Sequence, residues 1–533
     1  MAKKTGGNNS KPAGKKRAAF LVPLSIFLSL LCFYSLLLST HLDGYERGFF
    51  ATALNFVEAH QFNMGGAGLA GTAEVGGKRY AEYVLESILD VPMVVAGIAL
   101  DSIFALAGMH PQLVFFLPKG LNAILTALTA AILYLFALRL YGSEKTAAAL
   151  AFIYGLATLA MPYATIGMDP LFVFLILFGF YLLRRCSDTG KTRLFAFAGL
   201  LFGLAMGAKT YAFLTYPFAL FYIYRLNGEK RMEGLPAKLG TLVLGGLAGL
   251  IPYFWYNYLR FGEIVPVQRS FSMAGSIFQP SVMNFLYNLY ASFFSAGKSF
   301  FLYSPPLVFV FWAVSRSLKR NRTETLVFLS LISGIVVFFC ITGSWADEVW
   351  GTRYYLILVP FLTLMTGVVI EKLKETGRWF RFAFYASVIT GFMVQIPGAI
   401  VYYGTFTQIL IRNKLYTVQN AFYIPALSHI RMNVFLIWAT IERYFTGVFP
   451  AYYYRPYSNL PYLIKFAPIQ MVIDPNEDYI SVWWHQVLSL PDLTGFPMFL
   501  VVLLVTALFA GFLFFGMKAW RLAVLSDNKG RGV

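Results

Sequence analysis

The chain has 533 residues, of which 58% are hydrophobic and 13% charged, and its mean hydropathy is +0.63. Soluble domains are about 25% charged, so this composition excludes a soluble globule, a disordered chain and a collagen, and it predicts a polytopic membrane protein. The formal net charge is +18, and Cys32, Cys186 and Cys340 offer no framework for a disulfide-stapled domain.

The predicted helices follow a basic tail. Residues 1–17 mix Lys and Arg with Gly, Asn and Ser, which predicts a disordered cytoplasmic tail. The apolar run 18–40 is too long for a signal-peptide core, and no small-residue cleavage site follows it, so we expect a retained first helix that ends outside. Further spans are predicted near 119–140, 146–166, 170–184, 193–208, 210–225, 238–257, 299–316, 325–343, 354–371, 382–403 and 498–518. The expected fold is an all-α polytopic bundle of about 12–13 transmembrane helices.

Residues 84–108 are apolar enough to cross but do not fit this topology. A single crossing there would move the later basic loops outside, so the charge pattern favours an interfacial or re-entrant pair of helices. Asp90 and Asp101 within the run fit that interpretation.

The charges support this orientation. The segments predicted inside hold about 28 of the 43 Lys and Arg and about 8 of the 25 Asp and Glu, a net charge of roughly +20. The external side is then near neutral. The basic excess therefore indicates orientation, and nothing is left to suggest a nucleic-acid partner.

The external loops divide the chain. Residues 18–403 form the predicted transmembrane core, which includes the long external loop 41–118, and 404–497 form a long external region rich in aromatic residues. The last helix and a cytoplasmic tail occupy 498–533. Long loops of this kind usually carry binding or chemistry.

Two acids stand at the outer ends of predicted spans. Asp43 follows the first span in the sequence DGYE, which ends at Glu46, and Asp169 precedes a proline between two spans. A carboxylate at a membrane boundary is partly desolvated, so its pKa is easily tuned for acid–base chemistry. Both also have structural explanations, because Asp caps helices well and Asp-Pro is an ordinary helix start.

Three cations oppose the positive-inside bias: Lys209, Lys298 and Arg353 lie at outer ends of spans. A lipid phosphate needs such partners, because Arg gives paired hydrogen bonds and Lys a point charge. For each one alone, a side chain snorkelling to the interface is the alternative.

Aromatic residues accompany acids in the segment WADEVW and in the later external region, where they are typical of sugar binding but also of membrane interfaces. The candidate sugar- or acceptor-binding residues are Tyr45, Tyr80, Trp345, Asp347, Glu348, Trp350 and His485. The five His are scattered without paired spacing, so a metal site has little support.

The order of these motifs resembles a known family. An acid directly after the first span, followed by GGKRYAEY, YATIGMDP, AGKSFFLYSPP and WADEVWGTRYYLILVPF, is similar to the GT-C membrane glycosyltransferases. These multi-span enzymes are related to the protein O-mannosyltransferases and to the aminoarabinose transferase of lipid A. The likeness extends from residue 18 to about residue 403.

The resemblance implies roles for the candidates. The sugar would come from a polyprenyl-phosphate carrier, Asp43 would act as general base with inversion at the anomeric carbon, and Asp169 would be the second external acid. Arg353, Lys209 and Lys298 would bind the donor phosphate. Many members carry Asp-Glu where this chain has Asp-Gly, so either Glu46 takes the role of the second carboxylate or it has no such role. Some branches use a divalent cation such as Mg²⁺ or Mn²⁺ and others do not, which leaves the cofactor open.

We therefore expect a mannosyltransferase-like hexosyl or pentosyl transferase in the plasma (inner) membrane, with both termini cytoplasmic and an extracytoplasmic active site. Its partners would be a polyprenyl-phosphate-linked sugar, the bilayer, and a lipid, glycan or protein acceptor. The alternative is a flippase or transporter of a lipid-linked sugar. Transporters place ionisable residues within spans and often show repeated halves, and this sequence shows neither pattern.

Overall fold

The computed structural model describes residues 13–42, 44–65, 73–75, 77–110, 112–167, 169–265, 281–343, 349–415, 423–454, 469–489 and 497–530. The first part of the chain forms α1 (Ala13–Leu36), α2 (Gly44–Ala59), an antiparallel hairpin of β1 (Ala73–Val75) and β2 (Lys78–Tyr80), and α3 (Val84–Ala105). In the hairpin, Ala73 pairs with Tyr80.

Long apolar helices dominate the next segment. Its elements are α4 (Leu113–Tyr141), α5 (Glu144–Ala157), α6 (Ala160–Tyr163), α7 (Pro170–Thr189), α8 (Arg193–Ala208), a 3₁₀ helix (Thr210–Thr215), α9 (Tyr216–Glu229) and α10 (Leu235–Phe261). Gly142, Gly190 and Gly262 end α4, α7 and α10 in the left-handed conformation, which is the usual glycine C-terminus.

The second half is more broken. It contains α11 (Val282–Phe294), α12 (Phe300–Tyr303), α13 (Val310–Arg320), α14 (Arg322–Thr342), α15 (Leu358–Met365), α16 (Gly367–Lys372), α17 (Arg378–Ile400), α18 (Tyr403–Arg412), α19 (His429–Thr446), α20 (Trp483–Ser489) and α21 (Met498–Gly530). Short 3₁₀ helices occupy Pro305–Phe309, Arg353–Tyr355, Leu373–Glu375 and Pro425–Leu427. A small antiparallel pair joins β3 (Tyr452–Tyr454) to β4 (Ile469–Met471).

The helical membrane fold predicted from the sequence is confirmed. By length and composition, seven helices of the described residues could cross a membrane: α3, α4, α7, α10, α14, α17 and α21. Two further apolar helical segments are Phe20–Leu36, which is part of α1, and α8 (Arg193–Ala208). Predicted spans such as 146–166, 299–316 and 354–371 fall on short or interrupted helices, so fewer helices of the described residues are long enough to cross than the twelve or so crossings expected.

Proline explains one of these interruptions. The predicted span 299–316 divides into α12, a 3₁₀ turn and α13, because Ser304 precedes Pro305 and a residue before proline avoids the helical conformation. Ser304 has φ −143° and ψ 62°, and its hydroxyl accepts the N–H of Leu159.

The expected pair of helices over 84–108 is wrong in one respect, because residues 84–105 form the single helix α3. Its two acids are accommodated without a break. The Asp101 carboxylate accepts the N–H groups of Leu113 and Val114 at 2.7 and 2.9 Å, and so satisfies the beginning of α4. Asp90 lines a small cavity together with Lys119. An interfacial position for this segment stays a prediction.

Glycines bring α8 and α10 into backbone contact. A Cβ atom added at Gly203 would lie 2.2 Å from the Gly246 carbonyl oxygen, and one at Gly199 would lie 2.0 Å from the Leu242 oxygen. Small residues four apart permit this close approach of helices in membrane proteins. The contact fixes the end of α8, which leads into the candidate site.

Candidate active site

The site centres on Asp169, a buried carboxylate at the beginning of α7. Asp169 is the residue before the helix and is 1% exposed, with Pro170 in the first helical position. Its Oδ1 lies 3.1 Å from Lys209 Nζ, and its Oδ2 accepts a 2.7 Å hydrogen bond from Arg353 Nε. Three of the sequence-predicted residues, far apart along the chain, thus meet in one cluster.

Neither cation lies within an α-helix. Lys209 is extended, with φ −154° and ψ 125°, between α8 and the following 3₁₀ helix, and Arg353 opens the 3₁₀ turn Arg353–Tyr355. Each is 1% exposed. Burial of such groups is costly unless they are paired, so the cluster is a rigid arrangement in which the charges hold one another in place.

The electrostatics keep Asp169 ionised. Burial raises the pKa of the Asp169 carboxyl, but the Arg353 and Lys209 charges and their hydrogen bonds outweigh burial, so the net pKa lies below its ordinary value. A carboxylate with a depressed pKa suits an ion-pair partner better than a proton acceptor, because it binds a proton weakly near neutral pH.

Two tyrosine rings line the cluster. Lys209 Nζ lies 4.4 Å from the ring centroid of Tyr83 and 5.7 Å from that of Tyr45. The Arg353 guanidinium lies 5.1 Å from the Tyr45 centroid. Cations over aromatic faces gain electrostatic attraction when they are desolvated. Tyr45, a predicted ligand-binding residue, therefore connects the beginning of α2 to both cations.

Glu46 forms a second buried ion pair beside this cluster. Its Oε2 lies 2.8 Å from Lys119 Nζ, and its Oε1 accepts the N–H of Gly167 at 2.5 Å. Lys119 also donates to the carbonyl oxygen of His41 at 2.5 Å. The beginning of α2 is thereby tied both to α4 and to the loop that carries Asp169.

Sequence reasoning missed Lys119, Gly167 and Tyr83. Lys119 had a usable signal, because a lysine within the apolar run of α4 is costly unless it has a partner. Gly167 acts through its backbone N–H, which residue type does not reveal.

Several candidates lie outside the described residues. Asp43 falls between Leu42 and Gly44, both of which are described, and Trp345, Asp347 and Glu348 precede the described segment that starts at 349. Their predicted roles as base and as sugar-binding residues stay predictions.

Trp350 belongs to the packed core. It is 0% exposed, its indole N–H donates to Gln395 Oε1 at 3.1 Å, and its carbonyl oxygen accepts the Tyr163 hydroxyl at 2.8 Å. The ring is buried on every side, and its predicted contact with a sugar stays a prediction.

The remaining candidates are not joined to Asp169 by the contacts described. Tyr80 packs edge-on against Tyr256 at 6.3 Å. Lys298 is 1% exposed and lies just before α12. His485, on α20, has its Nδ1 3.4 Å from Asp478 Oδ2.

The segment before His485 nevertheless reaches the site region. The indole N–H groups of Trp483 and Trp484 donate to the carbonyl oxygens of Ser35 and Leu36, at 2.8 and 2.9 Å. The backbone N–H of Thr40 donates to Ser481 at 2.9 Å. The segment 481–484 thus fixes the end of α1, which precedes Asp43 in the chain.

Comparison with known proteins identifies a family over part of the chain. Residues 90–256 match the model of the family described as dolichyl-phosphate-mannose-protein mannosyltransferase, a range that includes Asp169 and Lys209. No curated protein sequence matches the chain.

Two solved structures are similar in overall fold. One is ArnT from Cupriavidus metallidurans bound to undecaprenyl phosphate, which is 13% identical, with 96% of this chain and 78% of that chain covered and a TM-score of 0.48. The other is the same protein in the apo state, which is 14% identical, with 94% and 76% covered and a TM-score of 0.46. The part of the chain over residues 90–256 is therefore similar to the dolichyl-phosphate-mannose-protein mannosyltransferases.

Proposed function

We propose that the protein transfers a sugar from a polyprenyl-phosphate carrier to an acceptor hydroxyl on the extracytoplasmic side of the plasma (inner) membrane. The observation that carries this proposal is the buried meeting of Lys209 and Arg353 around Asp169 and Tyr45. The matched family is named for an enzyme that takes mannose from dolichyl phosphate, and its model covers Asp169 and Lys209.

The two cations suit a phosphate leaving group. When the bond between the anomeric carbon and the phosphate oxygen breaks, negative charge grows on that oxygen, and cations already in place stabilise it without reorganisation. Asp169 is then a positioning residue, because it fixes Arg353 Nε and Lys209 Nζ within 2.7 and 3.1 Å of its own oxygens.

Asp43 is the proposed general base. An alcohol becomes a good nucleophile only when a placed base takes its proton as the new bond forms. The acceptor oxygen would attack the anomeric carbon, the carrier phosphate would leave from the opposite face, and the proton would pass to Asp43, with inversion. Asp43 is two residues from Tyr45 in the sequence, and Tyr45 contacts both cations, which supports this assignment.

Metal dependence is left to experiment. In the part of the chain that the structure describes, no three His, Cys, Asp or Glu side chains come together as a metal site. Asp43, Asp347 and Glu348 lie outside that part. Activity with and without EDTA, followed by Mg²⁺ or Mn²⁺, decides the question.

Binding of undecaprenyl phosphate tests the phosphate site. We expect Arg353→Lys, which keeps the charge but loses the paired donors, to weaken binding by about tenfold in native mass spectrometry of the detergent-solubilised protein. Arg316→Gln is the matched control, because Arg316 stacks on Trp312 in an exposed position. Unchanged binding in Arg353→Lys and in Lys209→Gln would overturn the assignment.

Asp43→Asn separates transfer from binding and transport. With lipid extract of the producing cells as donor and acceptor, we expect release of free polyprenyl phosphate to fall by about 10²–10⁴-fold while undecaprenyl phosphate still binds. Glu58→Gln, an exposed change at the end of α2, should leave both unchanged. Full release by Asp43→Asn, or sugar movement across the membrane with no covalent product in the wild type, would overturn the transferase proposal.

A further inference from the structure

A large cavity adjoins the connection between α1 and α2. Its volume is about 730 Å³, and it is bounded by the end of α1, the beginning of α4, α20 and the first half of α21. Cavities of a few hundred Å³ or more accommodate drug-sized ligands or long apolar chains. Leu42, the residue before Asp43, forms part of its wall.

The cavity wall is mostly apolar, and it includes basic side chains near the connection between α1 and α2. His41 belongs to the α1–α2 connection, Arg47 lies in the first turn of α2, and Lys119 donates to the His41 carbonyl oxygen, so these three lining residues lie close to that connection. The apolar wall includes Phe115 on α4 and Leu504 and Leu508 on α21. Such a lining complements a molecule with an acidic head group and an apolar chain.

The apolar wall is next to the lipid-exposed surface of α21. Leu503, which neighbours Leu504, is 61% exposed, and Val502 is 54% exposed. A long apolar helix with such an exposed surface faces hydrocarbon in a membrane protein. A chain in the cavity can therefore remain continuous with the bilayer.

The cavity is separate from the cluster of Asp169, Lys209 and Arg353. Lys119 lines the cavity and pairs with Glu46, whose other oxygen accepts the N–H of Gly167, two residues before Asp169. The Glu46–Lys119 pair thus stands between the cavity and the cluster. In an inverting displacement, the acceptor and the leaving phosphate occupy opposite faces of the sugar, so the two substrates need separate places.

We propose that this cavity binds the acceptor, and that the acceptor is a lipid with an anionic head group near Arg47 and an apolar chain along Leu504 and Leu508. This inference rests on the proposed function, because it assigns the donor phosphate to Arg353 and Lys209. Charge complementarity at Arg47, the hydrogen-bonding imidazole of His41 and the apolar wall beyond them favour a lipid over a protein or a soluble glycan.

Photolabelling tests the cavity without relying on transfer. The probe is phosphatidylglycerol with a diazirine on one acyl chain, added to the full-length protein in nanodiscs. We expect Leu504→Trp to lower labelling of the cavity-lining peptides by about tenfold, because the indole fills the space of the chain. Leu503→Trp is the matched control on the exposed side of the same helix and should label like the wild type.

Two further labelling experiments test which head group the cavity binds and whether the bound chain belongs to the acceptor or to the donor. Arg47→Gln, at an exposed residue, should lower labelling by the phosphatidylglycerol probe several-fold but not by the phosphatidylcholine analogue. Excess undecaprenyl phosphate should not displace the label. Displacement by undecaprenyl phosphate, with loss of labelling in Arg353→Lys, would assign the cavity to the donor and overturn the inference, while the donor phosphate site would stand.

Equal labelling of wild type, Leu504→Trp and Arg47→Gln would also overturn the inference. That outcome leaves the transferase proposal to its own tests, because binding of undecaprenyl phosphate and the Asp43→Asn assay do not depend on this cavity.

Discussion

Asp169 shows how one buried carboxylate organises a site. It joins the beginning of α7 to Lys209 at the end of α8 and to Arg353 in a later 3₁₀ turn. A buried ion pair adds little to stability relative to an apolar core, but it fixes geometry, and loss of one member leaves buried charge behind. Its contribution is therefore best seen by removing the carboxylate alone.

Asp169→Asn should lower the free energy of unfolding by about 3–5 kcal/mol, because Lys209 and Arg353 lose a buried anionic partner. The measurement is unfolding in detergent followed by tryptophan fluorescence. Glu375→Gln, which removes an exposed partner of Lys372, is the control and should change stability by less than about 0.5 kcal/mol. An Asp169→Asn variant as stable as the control would contradict the structural role of the cluster.

The pH dependence of this difference has a definite sign. The pKa of Asp169 in the folded protein lies below its unfolded value, which is about 3.9. Its stabilising contribution is therefore fully present above that unfolded value, and it is lost as pH falls through the lower folded pKa. The stability difference between wild type and Asp169→Asn should be constant from about pH 8 to 5 and shrink only below about 4.

At the scale of single residues, the sequence indicated which charged residues have a special place but not which residues they contact. Asp169, Lys209 and Arg353 could be singled out because charged groups at the ends of spans are costly unless they have a partner. Their convergence depends on tertiary packing, which no local pattern encodes. Trp350 shows the opposite case, because an indole beside acids suggests a sugar site while its surroundings bury it completely.

At the scale of elements, α8 is positioned by its glycine contact with α10. Gly203 is six residues before Lys209, so the separation of the two helices sets where that lysine lies. Without a hydrophobic driving force between helices in lipid, close van der Waals packing supplies much of the association. A single added methyl group therefore has a large effect there.

Gly203→Ala should lower the free energy of unfolding by about 1–3 kcal/mol, because its Cβ would lie 2.2 Å from a backbone oxygen of α10. Gly240→Ala has no atom within 4 Å and should be neutral or stabilising by up to about 1 kcal/mol, since alanine favours helices. Thermal unfolding in detergent compares the two. Equal stability of both variants would show that α8 and α10 are not in the described contact.

The sequence predicted the helices well where they are long and uninterrupted, as in α4, α10 and α17. It did less well where the chain turns within the apolar layer. The helix over 84–105 was expected to be two helices because a single crossing would move the later basic loops outside, and Asp90 and Asp101 fitted that interpretation. The structure has one helix, and its Asp101 accepts the first N–H groups of α4. An acid inside an apolar run can accept hydrogen bonds from the first N–H groups of a neighbouring helix, and the sequence of the run does not indicate that contact.

At the scale of the whole molecule, α4 connects the end of the bundle that carries the site to the end that carries the basic loops. Lys119, near its beginning, contacts the site region, and Arg139, near its end, pairs with Asp188. Twenty residues of helix span about 30 Å, close to the thickness of a hydrocarbon core. The cluster around Asp169 and the basic loops therefore lie at opposite ends of the bundle, as expected if the +18 charge reflects orientation.

Cysteine labelling tests the orientation directly. In a variant with Cys32, Cys186 and Cys340 replaced by alanine, we expect a membrane-impermeant maleimide to label Glu58→Cys in intact cells, because the proposed orientation places α2 on the extracytoplasmic side. Lys319→Cys, at the basic end of α13, should react only after the membrane is permeabilised. Both positions are exposed, so access to the reagent depends on the side of the membrane. Labelling of Lys319→Cys in intact cells would reverse the orientation and move the phosphate cluster to the cytoplasmic side.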